Sequence, residues 1–198
     1  MIAVVQRVLR AQVTVEGRLV GRIGRGMLVL AAVEVADTET DVEWMAGKLA
    51  GLRIFRNGEK HFDWDIQQMA QPVVPTPPSA GAGIAGETDE RVDTAAKATA
   101  HATADEGVGT TGFAPPGILL VSNFTVAAET AKGRRPSLNN AAPPERGRVV
   151  FEQLVVAVRR QVPAQVAVET GEFGAMMEVE LNNDGPVTFI VKSGADRS

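Results

Sequence analysis

The chain reads as an α+β protein: one domain built on a curved antiparallel sheet or β-barrel, with two main helices. Three observations lead there. Residues 1–33 hold short apolar runs separated by Gly-containing turns. Only two stretches carry apolar residues at helical spacing. Beyond the second helix, strand-like runs return on either side of Asn182–Asn183–Asp184–Gly185–Pro186. A length of 198 residues suits a single domain with a sizeable core.

The elements follow in order. Ile2–Val8 is an apolar-rich strand and Gln12–Val15 an alternating one. Glu16–Gly17–Arg18 turns into Leu19–Ile23, and Gly24–Arg25–Gly26 turns into the apolar strand Met27–Val33. Asp37 is placed to cap a helix whose Val42, Met45, Ala46 and Leu49 fall on one face and which ends at Gly51. Leu52–Phe55 is a short strand, Asn57–Gly58 a turn, and His61–Asp65 an exposed loop. Ile118–Val121 is a strand running on into Ser122–Asn123–Phe124–Thr125–Val126. Pro143–Pro144 opens a helix to Gln161, striped by Val150, Phe151, Leu154, Val155 and Val158. Arg159 and Arg160 sit near its C-terminus, where the helix dipole favours cations. Gln165–Glu169, Met176–Leu181 and Val187–Val191 are strands, giving eight or nine in all.

From about Gln71 to Gly117 periodicity gives way to Pro, Ala, Gly and Thr, with a weak Ala-rich stretch around Asp93–Ala104. The single domain spanning 1–198 is therefore interrupted by a low-complexity insertion at about 71–117, without catalytic chemistry and with an inert His101. Six acids (Glu87, Asp89, Glu90, Asp93, Asp105, Glu106) oppose Arg91 and Lys97 there. Their net charge of −4 equals that of the whole chain, so the remainder is near neutral. Against that background Lys132–Gly133–Arg134–Arg135 is a phosphate contact or a solvated basic loop.

Several chemistries are excluded. Without Cys there is no disulfide, thiol nucleophile or Cys-ligated zinc. The two His, His61 and His101, lack the context of a Ser-His-Asp triad, and no G-x-S-x-G surrounds Ser122. No H-E-x-x-H, EF-hand, Walker A or dinucleotide-binding pattern occurs, so no metal or cofactor is expected. No apolar run is long enough to span a membrane, and Met1–Arg7 reads as a strand, which points to the cytoplasm and to no membrane partner. What remains is hydroxyl and backbone chemistry: Ser122 and Thr125 at one strand end, and Thr188 beside Gly185–Pro186 at another. Each group also has a purely structural reading, as strand-end residues satisfying local backbone groups. Likewise, Asn182–Pro186 is either a hairpin turn with a strand-edge Pro or a backbone that approaches a ligand with no side chain in the way.

Several ordered segments resemble the D-aminoacyl-tRNA deacylases: Ile2–Val8, Val13-Thr14-Val15-Glu16-Gly17, Gly51-Leu52-Arg53-Ile54-Phe55, Lys132-Gly133-Arg134-Arg135-Pro136-Ser137 and Asn183-Asp184-Gly185-Pro186-Val187-Thr188. The resemblance implies a homodimer of barrel-like domains, with active sites at the interface that hydrolyse the ester between a D-amino acid and the 3′-terminal adenosine of tRNA. Glycyl-tRNA mischarged on tRNA-Ala is implied as a further substrate. Ser122 and Thr125 become the candidate catalytic residues, positioning substrate rather than attacking it. Backbone N–H groups near Phe124 and Thr125 would bind the oxyanion, and a ribose 2′-hydroxyl would help to activate water. Asn123, Phe124, Phe173 (against the adenine), Arg7 and Met177 are implied around the pocket. A cis Gly185–Pro186 pair reaching into the partner's pocket would reject L-amino acids.

Three departures from the family pattern bear on specificity. Asn123 replaces a Gln, Glu172 stands where Arg is common, and His61-Phe62-Asp63-Trp64 replaces a Met-Asn-Leu run. Two other functions are the alternatives: an editing-type deacylase for an L-aminoacyl-tRNA, which shares the implied fold but is usually fused to a synthetase, and a non-catalytic RNA-binding module, which would need a basic or aromatic face. A structural dimer without ligand is the remaining reading.

Overall fold

The computed structural model describes residues 1–71, 114–131 and 133–194. The acidic and Ala-rich stretch, His101 and Lys132 lie outside them. The chain orders as β1 (Ile2–Val15), β2 (Arg18–Ile23), β3 (Gly26–Ala32), α1 (Glu39–Gly51), β4 (Phe55–Asn57), β5 (Lys60–Trp64), the one-turn helix α2 (Ile66–Met69), β6 (Gly117–Ser122), a 3-10 turn (Phe124–Ala127), α3 (Pro144–Gln161), β7 (Ala167–Thr170) and β8 (Glu178–Lys192).

The sheet runs β2-β1-β3-β6-β7, with β8 on the other edge of β1. Gly21 of β2 lies against the Thr170 carbonyl of β7, so the sheet nearly closes on itself. The α+β class and barrel-like shape agree with the sequence expectation. The all-antiparallel sheet does not: β6 pairs parallel with both β3 and β7. The reason lies in the connections. β3 reaches β6, and β6 reaches β7, through segments that contain a helix, and such crossovers return the chain in the same direction.

Two further corrections concern strand ends. β1 is one strand where the sequence suggests two. Opposite β8, Val8 pairs with Asn183 and Arg10 with Asn182, so Leu9 is an extra residue on β1. One extra residue reverses the in–out alternation. Ala3 and Val5 join the core beneath the helices; Val8 lies on the opposite face by simple alternation, and the extra residue brings Ala11 and Val13 to the same face as Val8, in a second cluster with Ile23, Leu28, Leu119 and Val121. Similarly, Met176–Leu181 and Val187–Val191 do not flank a hairpin. From Glu178 onward both runs belong to β8, which runs antiparallel along β1 for almost its full length.

The helices are placed as expected, with local changes at their ends. Val42, Met45, Ala46 and Leu49 of α1 and Phe151, Leu154, Val155 and Val158 of α3 are buried, while Val150 is half-buried. Thr38, rather than Asp37, caps α1; its N–H and hydroxyl both donate to Asp41 Oδ2, at 2.9 and 2.7 Å. Asp37 instead accepts from the Met1 amino group and the Glu34 N–H. His61–Trp64 is not a loop but lies in β5, paired with β4. Asp65 caps α2 by accepting from the Gln67 and Gln68 N–H groups at 2.9 Å. Pro115–Gly117, assigned from sequence to the insertion, are bonded into the barrel: Gly24 donates to the Pro115 carbonyl and Gly117 to that of Arg25.

Where β3 and β6 begin, Gly26 faces Gly117 so closely that a Cβ on Gly26 would lie 1.8 Å from the Gly117 oxygen. Gly26→Ala is expected to cost at least about 2 kcal/mol, because the clash is with backbone and cannot be relieved by a rotamer change. Chemical denaturation checks this, and a midpoint within error of the parent would refute it.

Candidate active site

Gly185–Pro186 sits in a bulge of β8 that forms around one residue of β1. Gln6 pairs with Thr188 and Val8 with Asn183, so four residues (Asp184, Gly185, Pro186 and Val187) stand opposite Arg7 alone. Pro186 has no N–H to give to a ladder, and Gly185 has φ 138°, a conformation that disfavours side chains. A Cβ on Gly185 would meet Val187 Cγ2 at 2.7 Å and Arg7 Nη2 at 3.2 Å. The Gly185–Pro186 peptide bond is cis.

Arg7 fills the hollow of the bulge. It is 2% exposed. Its Nε donates to the Asp184 carbonyl at 3.0 Å and lies 3.1 Å from Asp184 Oδ2. Its Nη1 donates to the carbonyls of Ile54 (2.6 Å) and His61 (3.4 Å). The guanidinium lies 6.0 Å over the Phe62 ring, which packs edge-on against Phe189 of β8. The β4–β5 hairpin therefore buttresses the bulge. This is the structural place of the His61-Phe62 departure, and His61 contributes its backbone there.

The second group lies at the end of β6. Ser122 is the last residue of the strand, paired with Ala31. Asn123 caps the 3-10 turn; its Oδ1 accepts from the Thr125 N–H at 3.2 Å and the Thr125 hydroxyl at 2.5 Å. The sequence places both Phe124 and Thr125 N–H groups as oxyanion donors, but here Thr125 is engaged. Phe124 has no earlier carbonyl of the turn to bond, and its N–H makes no hydrogen bond among the described residues. The Phe124 ring is 60% exposed. Met177 packs with Leu30 and Val179 against the inner cluster, beside Gly171 and Val121.

Phe173 follows the end of β7, the strand paired with β6. Its ring packs on Phe151, with the Arg148 guanidinium 5.1 Å away over its face. It lines a cavity of about 300 Å³ together with Arg148, Arg159, Thr170 and Gly171. The neighbouring Glu172, an acid where the family pattern has a base, is paired with Arg18 of β2 at 2.9 Å.

One chain does not bring Gly185–Pro186 to Ser122–Thr125. The row through Ser122 crosses Ala31 and Ala3 and reaches β8 at Val191. Three strand spacings and about four residues then separate the two groups, on the order of 20 Å along the sheet. Asn183, a turn former by sequence, has a further part here. Its Oδ1 accepts the Val187 N–H at 2.8 Å across the neck of the bulge.

Arg7→Lys is expected to destabilise the chain by about 3 kcal/mol, since one ammonium cannot reach the acceptors that the guanidinium bonds together. A thermal melt matching the parent would contradict this.

Comparison with known proteins gives one result. The family model for D-Tyr-tRNA(Tyr) deacylase matches residues 4–77 and 111–192. A D-aminoacyl-tRNA deacylase of Cupriavidus metallidurans is 39% identical over 189 residues, covering 96% of this chain and 94% of that protein. One from Methylococcus capsulatus is 39% identical, covering 100% and 97%. A solved structure described as the c-Myc DNA unwinding element binding protein superposes with a TM-score of 0.72 at 28% identity, covering 98% of this chain and 100% of that one. A probable eukaryotic D-amino acid tRNA deacylase shares the fold at TM-score 0.62 and 14% identity, covering 96% and 97%. By sequence along nearly its whole length, and by fold, the chain belongs to the D-Tyr-tRNA(Tyr) deacylase family of hydrolases.

Proposed function

We propose that this chain hydrolyses the ester of D-aminoacyl-tRNA, and of glycyl-tRNA mischarged on tRNA-Ala, releasing the amino acid and free tRNA. The observation that carries the proposal is the bulge at Gly185–Pro186, which has no side chain at Gly185 and is anchored by buried Arg7. Carbonyls held in this way obstruct an L side chain at the substrate α-carbon, whereas a D side chain points away from them. Discrimination then rests on exclusion, and glycine, having no side chain to exclude, is accepted. Backbone recognition also accounts for a broad range of D-amino acids.

Water adds to the ester carbonyl, the tetrahedral oxyanion forms, and the bond to the ribose 3′-oxygen breaks. The open Phe124 N–H is the first donor for the oxyanion, and Ser122 and Thr125 position the ester beside it. The 2′-hydroxyl of the terminal ribose assists the water. The terminal adenosine takes the cavity bordered by Phe173, where Arg148 and Arg159 supply positive charge. Exposed Arg134 and Arg135 follow the 3-10 turn on a loop closed by Glu129 and Ser137, and meet phosphate. The working unit is a homodimer in the cytoplasm, because the filter and the ester pocket lie apart within one chain. Among the described residues β8 pairs with β1 alone, and it exposes Phe189 and Ile190. That free apolar edge suits a second copy.

Two measurements test this reading. With EDTA present, D-tyrosyl- and glycyl-tRNA are expected to be cleaved and L-tyrosyl-tRNA spared. Equal cleavage of the L ester would favour the editing-type deacylase, and binding without release would favour the RNA-binding module. Ile190 is 68% exposed in this chain. Ile190→Lys should therefore leave the fold intact, yet sediment as a monomer with activity reduced at least about tenfold. An active monomer would remove the shared site.

A further inference from the structure

We infer that Asn183 is a positioning residue for chiral selection, the clasp that fixes where the Gly185–Pro186 carbonyls point. The inference rests on the proposed deacylase reading and goes beyond it. A four-residue excursion opposite a single residue has two places at which it can yield. One is its crest, where Arg7 holds Asp184 through the carbonyl and the carboxylate. The other is its neck, between Asn183 and Val187, where the antiparallel ladder resumes on either side. There the Asn183 carboxamide oxygen accepts the Val187 N–H at 2.8 Å, closing a ring around Asp184, Gly185 and Pro186. Pro186 has no N–H and so gives the excursion no backbone donor of its own at that point. Its exit direction is therefore set by the bond at Val187. Asn183 Oδ1 is the side-chain acceptor that meets the Val187 N–H where the excursion rejoins the strand.

A filter that works by exclusion is sensitive to small displacements, because repulsion falls away within a fraction of an ångström whereas the attraction that binds substrate does not. Loosening the neck should therefore admit the L ester before it impairs cleavage of the D ester. A residue that only supported the fold would lower both rates together.

The test is the ratio of D-tyrosyl- to L-tyrosyl-tRNA cleavage by the full chain carrying Asn183→Ala, Asn183→Ser or Asn183→Asp, with amide exchange at Val187 followed alongside. Asn183→Ala should lower the ratio at least about tenfold, the scale of one lost hydrogen bond, and speed exchange at Val187. Asn183→Asp, which keeps an acceptor at the same reach, should restore most of the ratio. An unchanged ratio in Asn183→Ala would overturn the inference, as would a parallel fall in both rates. If Asn183→Ala does not melt cooperatively, the ratio in Asn183→Ser decides by the same criterion. Should the parent chain itself cleave both esters equally, the deacylase reading falls, while fast exchange at Val187 in Asn183→Ala still reports whether the clasp exists.

Discussion

Arg7 is a charged side chain in a place where charge is costly. Burying a guanidinium is tolerated only when its donors and its charge are met. Here Asp184 provides the countercharge, and the carbonyls of Asp184, Ile54 and His61 accept its hydrogen bonds. That requirement joins three parts of the chain that are far apart in sequence: the first strand, the β4–β5 hairpin and the last strand. It also explains how an irregular piece of backbone persists inside an otherwise regular ladder. The bulge cannot relax into β pairing without stripping Arg7 of its partners.

The departures from the family pattern acquire physical meanings once their neighbours are known. Glu172 is matched by Arg18 across the barrel seam, so the acid is partly neutralised where it stands, although an exposed pair of this kind adds little to stability. Asn123, shorter than the Gln it replaces, reaches back to its own turn and engages both donors of Thr125. In the proposed reaction this moves the burden of oxyanion binding toward Phe124. Phe62 gives the hairpin a ring that touches Arg7 on one side and Phe189 on the other.

The near-neutral charge outside the acidic segment fits the proposed partner. Recognition of a tRNA end by a pocket needs only a few cations, at Arg148, Arg159 and the Arg134–Arg135 loop, rather than the broad basic face of a protein that coats nucleic acid. The matched regions of the family model stop at residue 77 and resume at 111. This is compatible with the proposal that the intervening stretch is an insertion without a part in the chemistry.

The sequence by itself determined the α+β class and both main helices, and it supplied the residues of the proposed site. Apolar periodicity and turn chemistry are local properties, and the family motifs survive in order. It also marked Gly185–Pro186 as unusual, because a Pro directly after Gly fits an ordinary hairpin poorly. Only the tertiary structure decided that this stretch is a bulge within one long strand. A turn and a bulge use the same residues, and they differ in what lies opposite. The same is true of the parallel pairing of β6, which depends on where the crossovers lead, and of the single long β1, whose extra residue at Leu9 breaks the alternation that local reading relies on. The acceptor role of Asn183 is tertiary for a related reason: it depends on Val187, four residues away, folding back to meet it, and nothing in local composition encodes that return.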